Sequence, residues 1–168
     1  MTEREHPGVA AVRAALIAAG ATAAAEGILV LDKAMRTAAL AAQAVGAEVG
    51  AIANSLFFLA DDTPLLVLTS GAHRADTTRV AELVGVTRVS RASPDAVREH
   101  TGQVIGGVSP VGHPNPITTL VDSRLADHTV VWAAAGHPNA VFPTTFHELL
   151  RITGGAAAAV GAVTEARR

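Results

Sequence analysis

A glycine-rich stretch at residues 101–112, Thr-Gly-Gln-Val-Ile-Gly-Gly-Val-Ser-Pro-Val-Gly, combines the residue types that most favour chemistry in this chain. Its paired glycines, Gly106 and Gly107, let backbone N–H groups approach a ligand because no Cβ stands in the way. Pro110 then restricts the direction in which the chain leaves the loop. Unpaired N–H groups in such a loop can polarise a carbonyl or bind a phosphate. The same pattern is also typical of a β-bulge or tight turn that binds nothing.

The sequence gives little support to a metal site, a thiol nucleophile or a serine-hydrolase triad. The chain has no cysteine, which excludes disulfides, thiolate metal ligands and a thiol nucleophile. None of the 7 histidines has the His-x-x-x-His spacing, and His73, His113 and His137 in predicted loops are explained as solvated or turn residues more simply than as a converging metal triad. Ser109 lies outside a Gly-x-Ser-x-Gly motif and its neighbours offer no base. We therefore predict no metal, no cofactor and no serine triad.

The charge and aromatic content of the chain restrict the classes of partner that it can bind. With 13 Lys+Arg against 15 Asp+Glu, a net charge of -2 and 3% aromatic residues, the chain has neither a stacking platform nor a surface for a long nucleic-acid duplex. Its only basic run is Arg167-Arg168, and its charged start at residues 1–6 is not a signal peptide. No apolar run is long enough for a membrane span. We expect one folded cytoplasmic domain of 168 residues, with no prediction of oligomeric state.

Local patterns predict the elements that must position the loop. Apolar spacing, capping residues and terminal glycines predict helices over 7–19, 38–45 and 78–84, from the Ser93 cap to Gly102, and from the Thr145 capping box to Gly154. Apolar, β-branched runs predict strands at 27–31, 52–59, 65–69, 87–90, 117–121, 129–134 and 141–142. The Ala-rich tail is expected to form a further helix or to fray. Hairpins and single helices without a strict βαβ alternation favour an α+β domain with a mixed, largely antiparallel sheet.

The ordered set of motifs resembles the YbaK/EbsC-type aminoacyl-tRNA deacylases, which include the prolyl-tRNA synthetase editing domain. Residues 106–110, Gly-Gly-Val-Ser-Pro, are similar to the GxxxP loop of that family. The companion segments that follow the family's order are 52–58, 64–68, 71–76, Ala92-Ser93, Val97, Thr101-Gly102 and Asp122. The resemblance extends from about residue 37 to about residue 150. It implies a YbaK-like single domain, with a curved, mixed, mostly antiparallel sheet surrounded by helices.

The resemblance implies hydrolysis of the ester between a mischarged amino acid and a tRNA 3′ end. An ester is already activated, so a site needs only to polarise its carbonyl and position water. The residues implied to be catalytic are Gly106, Gly107 and Asn54. Those implied to bind substrate are Val108, Ser109, Pro110, Ser55, His73, Arg74, Asp122 and Gly136. Structural roles are favoured for Asp76, which can pair with Arg74 and brace the pocket rim, and for Asp122, which can orient a loop or cap a turn.

Asn54 departs from the family pattern, which has a lysine there that holds the tRNA 3′ end. Asparagine is neutral and shorter, yet its amide can still donate a hydrogen bond. One reading is a working deacylase of a divergent branch. The alternatives are a catalytically weak or inactive binding module that uses the same pocket for an aminoacyl or nucleotide ligand, and hydrolysis of another small ester or amide. The amino acid is not predicted, because small apolar residues at 133–136 replace the polar side chains of some family members.

Overall fold

The computed structural model describes residues 5–161, and these form six α-helices, eight strands and two short 3-10 helices. The helices are α1 (Pro7–Ala18), α2 (Thr22–Glu26), α3 (Ala38–Val45), α4 (Thr77–Val84), α5 (Pro94–Thr101) and α6 (Phe146–Thr153). The strands are β1 (Leu29–Val30), β2 (Ile52–Ala60), β3 (Thr63–Ser70), β4 (Val89–Arg91), β5 (Thr118–Asp122), β6 (Val131–Ala134), β7 (Ala140–Thr144) and β8 (Ala156–Ala158). The 3-10 helices are Val49–Ala51 and Ser123–Asp127. The predicted basic pair Arg167-Arg168 lies outside the described residues.

The capping residues predict the helices well. The Ser93 hydroxyl accepts the Ala96 N–H at the start of α5, and Gly102 ends that helix with a φ of 73°. At α4 the cap is Asp76, whose carboxylate accepts two backbone N–H groups. The α2 helix was not predicted, because its Thr-Ala-Ala-Ala-Glu sequence is too short to show a periodic pattern.

The Ala-rich tail is a correction to the sequence prediction. Ala156–Ala158 form β8, which pairs in parallel with β5 at the edge of the sheet. Alanine favours helix, but the unpaired edge of β5 supplies backbone hydrogen-bond partners that an isolated tail helix would lack. Tertiary pairing has therefore overridden local propensity.

The strands form one mixed sheet in the order β1-β7-β6-β2-β3-β5-β8, with β4 pairing separately to β2. Four ladders are antiparallel and three are parallel. The predicted α+β class with a mixed sheet is confirmed. One face of the sheet carries the main core, which includes Val12 and Leu16 of α1, Leu149 of α6 and Phe142 of β7. Within 5–161 no helix is long and apolar enough to cross a membrane.

The sheet divides along β2. On one side β2 pairs with β3 over Ala53–Ala60. On the other side it pairs with β6 only at Ile52 and Ala53, and with β4 only from Phe58 to Ala60. The middle of β2 therefore has no neighbouring strand on that side, and we call this gap the β2 fork. The loop that follows α5 enters the fork.

Candidate functional site

A pocket of about 130 Å³ lies in the β2 fork. Four segments form its walls: the chain before and within α3, the start of β2, the glycine loop, and the β6–β7 region. The lining residues are Met35, Arg36, Thr37, Ala38, Ala41, Ile52, Ala53, Asn54, Ser55, Gly106, Val108, Trp132, Ala133, Ala134, Pro138, Ala140 and Val141. Trp132 is only half-buried because it forms part of this wall.

The glycine loop forms a tight turn at the pocket. The Gly107 N–H donates to the Val104 carbonyl at 3.0 Å, and Gly106 has a φ of 91°, as the third residue of a type II turn requires. Gly107 packs so closely on the chain at 137–138 that a Cβ would lie 2.6 Å from the His137 carbonyl carbon. Gly107 is therefore needed for packing, and its N–H is already used.

The amides on either side of Gly107 differ from it. Within residues 5–161, no hydrogen bond uses the N–H of Gly106 or of Val108 as donor. Both residues line the pocket. The two N–H groups are therefore candidate donors to a ligand oxygen, whereas the Gly107 N–H cannot donate to one without breaking the turn.

Gln103 holds the loop from inside. Its side chain is 4% exposed and accepts the Ser109 N–H at Oε1, at 2.7 Å. Its Nε2 donates to the carbonyls of Val111 and Gly112, at 3.2 Å and 3.4 Å. A buried amide with this many partners restricts the loop to one conformation.

Ser55 faces the pocket from β2. In a strand, the backbone N–H and C=O groups of residues two apart point to the same side. The Phe57 carbonyl accepts the Ala92 N–H on the fork side, so the N–H and C=O of Ser55 also point to that side. Ser55 lies beyond the β6 pairing and before the β4 pairing. Its Oγ is buried and has no hydrogen-bond partner among residues 5–161. Since such groups are normally paired, this hydroxyl is suited to a ligand.

Two further polar groups complete the pocket. Asn54 is exposed and lies on the opposite face of β2 from Ser55, the face that packs on α3 through Ile52. Arg36 is exposed, and it is the only ionisable residue among the described residues that line the pocket. The pocket therefore offers many hydrogen-bond donors, one positive charge and no carboxylate.

Several residues predicted to bind substrate lie elsewhere. Ser109 and Pro110 are buried below the loop, and the Ser109 Oγ already accepts the Val111 N–H at 3.3 Å. Gly136 is buried where its backbone touches Gly8 of α1. Arg74 is exposed, and within the described range it forms no ion pair with Asp76, whose carboxylate caps α4 instead. None of these side chains lines the pocket, and their proposed binding roles stay predictions.

His73 and Asp122 form a pair at the C-terminal end of β3, where Ser70 is the register partner of the pocket residue Ala53. The Asp122 carboxylate is fully buried and contacts Nε2 of His73. It also accepts the N–H groups of Ser70 and Arg124, at 2.9 Å and 3.0 Å. The pair connects β3, β5 and the 3-10 helix that follows β5. Its geometry is that of a structural brace, outside the pocket lining.

The other two loop histidines have their own partners. Nε2–H of His113 donates to the Ser109 carbonyl at 2.7 Å, and burial lowers the pKa of His113 despite this bond. The His137 and His6 rings lie 4.5 Å apart, and burial together with the nearby His6 imidazole lowers the pKa of His137. Over the described part of the chain, no three His, Cys, Asp or Glu residues could jointly hold a metal ion.

The sequence reasoning missed Arg36 and Gln103. Arg36 immediately precedes the Thr37 cap of α3, and a single arginine at such a place has no distinguishing pattern. The signal for Gln103 was stronger, because an amide between Gly102 and the paired glycines is an obvious partner for unpaired loop backbone. Of the predicted site residues, Asn54, Ser55, Gly106 and Val108 line the pocket.

Comparison with known proteins identifies the family to which this chain belongs. A solved structure described as a candidate trans-editing enzyme for prolyl tRNA synthetase superposes with a TM-score of 0.89 and 41% identity, covering 95% of this chain and 100% of the other. The uncharacterised protein YwhH of Bacillus subtilis is 31% identical over 110 residues, 65% of this chain and 69% of YwhH. The proline–tRNA ligase of Levilactobacillus brevis is 27% identical over 77 residues, 46% of this chain but only 14% of the ligase. The aminoacyl-tRNA editing domain model matches residues 32–152, and the chain belongs to that family.

Proposed function

We propose that this protein is a trans-editing hydrolase that cleaves the ester between a mischarged amino acid and the 3′ end of a tRNA. The observation that carries the proposal is a donor-rich pocket without a carboxylate or a histidine in its lining. Such a lining offers no base that could activate a nucleophilic side chain of the protein, but it suits the polarisation of a carbonyl that is already reactive. The match to the editing-domain family and the likeness to a candidate trans-editing enzyme support the same reaction.

The proposed chemistry is addition of water to the ester. The ester carbonyl oxygen accepts hydrogen bonds from the N–H groups of Gly106 and Val108, which stabilise the negative charge that forms when water adds to the carbon. The bond from that carbon to the ribose oxygen then breaks, and the ribose oxygen takes the proton released by the water. The neighbouring ribose hydroxyl of the substrate positions the water. The products are the free amino acid and an uncharged tRNA 3′ end.

The size of the pocket limits what it can enclose. Its volume of about 130 Å³ is well below the roughly 300–1,000 Å³ of sites that hold drug-sized ligands. Its walls include the small side chains of Ala41, Ala53, Ala133 and Ala140. We therefore propose that the pocket holds a small amino acid with its ester, and that the nucleotide remains outside.

Asn54 provides the test, because it separates a working enzyme from a binding module. Single-turnover deacylation should first be measured across a panel of mischarged tRNAs. On the best substrate, Asn54→Ala should lower the hydrolysis rate about 5- to 13-fold, since one neutral donor contributes about 1–1.5 kcal/mol. Asn54→Lys is the matched variant that restores a cation at this position.

Two results distinguish the alternatives. Clear wild-type hydrolysis that Asn54→Ala reduces would support the proposal. Hydrolysis only in the Asn54→Lys variant would contradict it, and would indicate that the natural chain is a binding module for an aminoacyl ligand.

A further inference from the structure

We propose that Arg36 binds the 5′-phosphate of the terminal tRNA nucleotide, the one whose ribose carries the amino acid. This inference rests on the proposed function, and it assigns the anionic part of the substrate to one side chain. Asn54 would then contact the substrate without carrying the charge that holds it.

The charge of Arg36 is not neutralised by the protein. Across residues 5–161 no carboxylate oxygen lies within 4.0 Å of its guanidinium. The remaining residues of the pocket lining are all uncharged. A lone guanidinium beside neutral donors favours an anion, and its planar fork is suited to phosphate oxygens.

The backbone on both sides of Arg36 is held in place. The Met35 N–H donates to the Pro138 carbonyl at 3.1 Å, which fixes the chain just before Arg36 to the β6–β7 turn. Just after it, the Thr37 hydroxyl accepts the Leu40 N–H at 3.1 Å and caps α3. Arg36 therefore projects from a fixed position, which lowers the entropy that binding would cost.

The covalent structure of the substrate explains the choice of this phosphate. Because the pocket holds little more than the amino acid and its ester, the ribose must lie at the rim, where Arg36 is exposed. The 5′-phosphate is the anionic group nearest to the ester along the chain of the terminal nucleotide. A long arginine side chain at the rim can reach it while the ester remains at the glycine loop.

The test uses two probes that cannot be hydrolysed: adenosine with alanine attached through a 3′ amide, without and with a 5′-phosphate. Binding to the full chain is measured by calorimetry for wild type, Arg36→Ala, Arg36→Lys and Arg88→Ala. Arg88 is the matched control, because it is an exposed arginine at the far end of β2 from the pocket. Each variant is checked for folding by circular dichroism.

We expect the 5′-phosphate to tighten wild-type binding about tenfold, as one charge-assisted contact should. Arg36→Ala should abolish this gain and leave the unphosphorylated probe unaffected. Arg36→Lys should keep part of the gain, and Arg88→Ala all of it. With a CCA-ended minihelix carrying the same amide, Arg36→Ala should reduce the slope of log affinity against log salt by about 0.7.

The inference is overturned if the 5′-phosphate adds nothing to wild-type affinity, or if its gain survives in Arg36→Ala. These outcomes are independent of hydrolysis. Phosphate binding through Arg36 in a protein that hydrolyses no ester would support the inference and refute the proposed function. Full hydrolysis with no contribution from the phosphate would do the reverse.

Discussion

Replacing Gly107 with alanine perturbs the proposed site through packing alone. The added Cβ would lie 2.6 Å and 2.7 Å from the carbonyl carbon and Cα of His137, whereas ordinary van der Waals contact begins at 3.4 Å. The two chain segments must therefore separate by about 0.8 Å, the difference between 3.4 and 2.6. The 137–138 segment is held in place because its carbonyls accept the N–H groups of Ala140 and Met35, so we expect the glycine loop to move.

A movement of this size would disconnect the donors from the ester. A hydrogen bond of about 2.9 Å lengthened by such a shift falls outside the useful range. Losing one oxyanion donor costs on the order of 10²–10³ in rate, and overpacking costs about 1–3 kcal/mol of stability. Gly107→Ala should therefore lower single-turnover deacylation about 100-fold or more and lower the free energy of unfolding, measured in urea.

Gly106→Ala and Gly85→Ala complete the experiment. At Gly106 the nearest atom to an added Cβ is 3.9 Å away, so the main structural cost is its φ of 91°, at about 1 kcal/mol. Gly85 also has a positive φ, 75°, and an added Cβ there would meet nothing within 4 Å. Gly85→Ala should therefore lower the free energy of unfolding by a similar amount without lowering the deacylation rate. If Gly106→Ala also loses activity, a side chain there blocks the ligand, as the sequence predicts. Wild-type activity and stability in Gly107→Ala would refute the packing argument.

Three other predictions concern stability and a fourth concerns binding. Gln103→Leu should lower the free energy of unfolding by about 1–3 kcal/mol for each buried group left unpaired, as urea denaturation would show. His73→Ala should lower the free energy of unfolding by about 1.5–3 kcal/mol because the Asp122 carboxylate loses a partner. Reduced substrate affinity at unchanged stability would instead favour the binding role expected from the sequence. Burial lowers the pKa of His113 in the folded protein, so below about pH 6.5 the unfolded chain binds more protons than the folded one. The free energy of unfolding should therefore fall as the pH decreases below about 6.5, and it should fall less in His113→Gln. Filter binding should detect only weak tRNA association and no sub-micromolar affinity for long duplexes.

Much of the fold was predictable because its signals are local. Thr37, Ser93 and Thr145 each place an oxygen where the first N–H groups of a helix need an acceptor, and each caps the helix that was expected. Gly102 ends α5 with a positive φ that other residues adopt less easily. Capping and turn conformation depend on a few consecutive residues, so the sequence contains the information.

The site was predictable only in part because it depends on contacts between distant segments. The contact of Gly107 with the chain at 137–138 cannot be found from the loop itself, and without it the sequence assigns both glycines to a ligand. Arg36 is likewise brought to the pocket by the bond from Met35 to Pro138, across about 100 residues of sequence. The resemblance placed the glycine loop and Asn54 together, but it did not predict which amide donates or where the charge lies.

The donors of this pocket arise where regular pairing stops. Ser55 lies in the one stretch of β2 that neither β6 nor β4 reaches, and the turn at Gly107 uses the middle amide of three while the outer two have no acceptor within 5–161. Such groups would be costly if they were sealed in a dry core. Because the residues that carry them line a pocket, these groups are available to a substrate oxygen. Under the proposed mechanism a neutral residue is compatible with position 54, because the backbone would polarise the ester and the positive charge would be needed only where Arg36 is proposed to bind the phosphate.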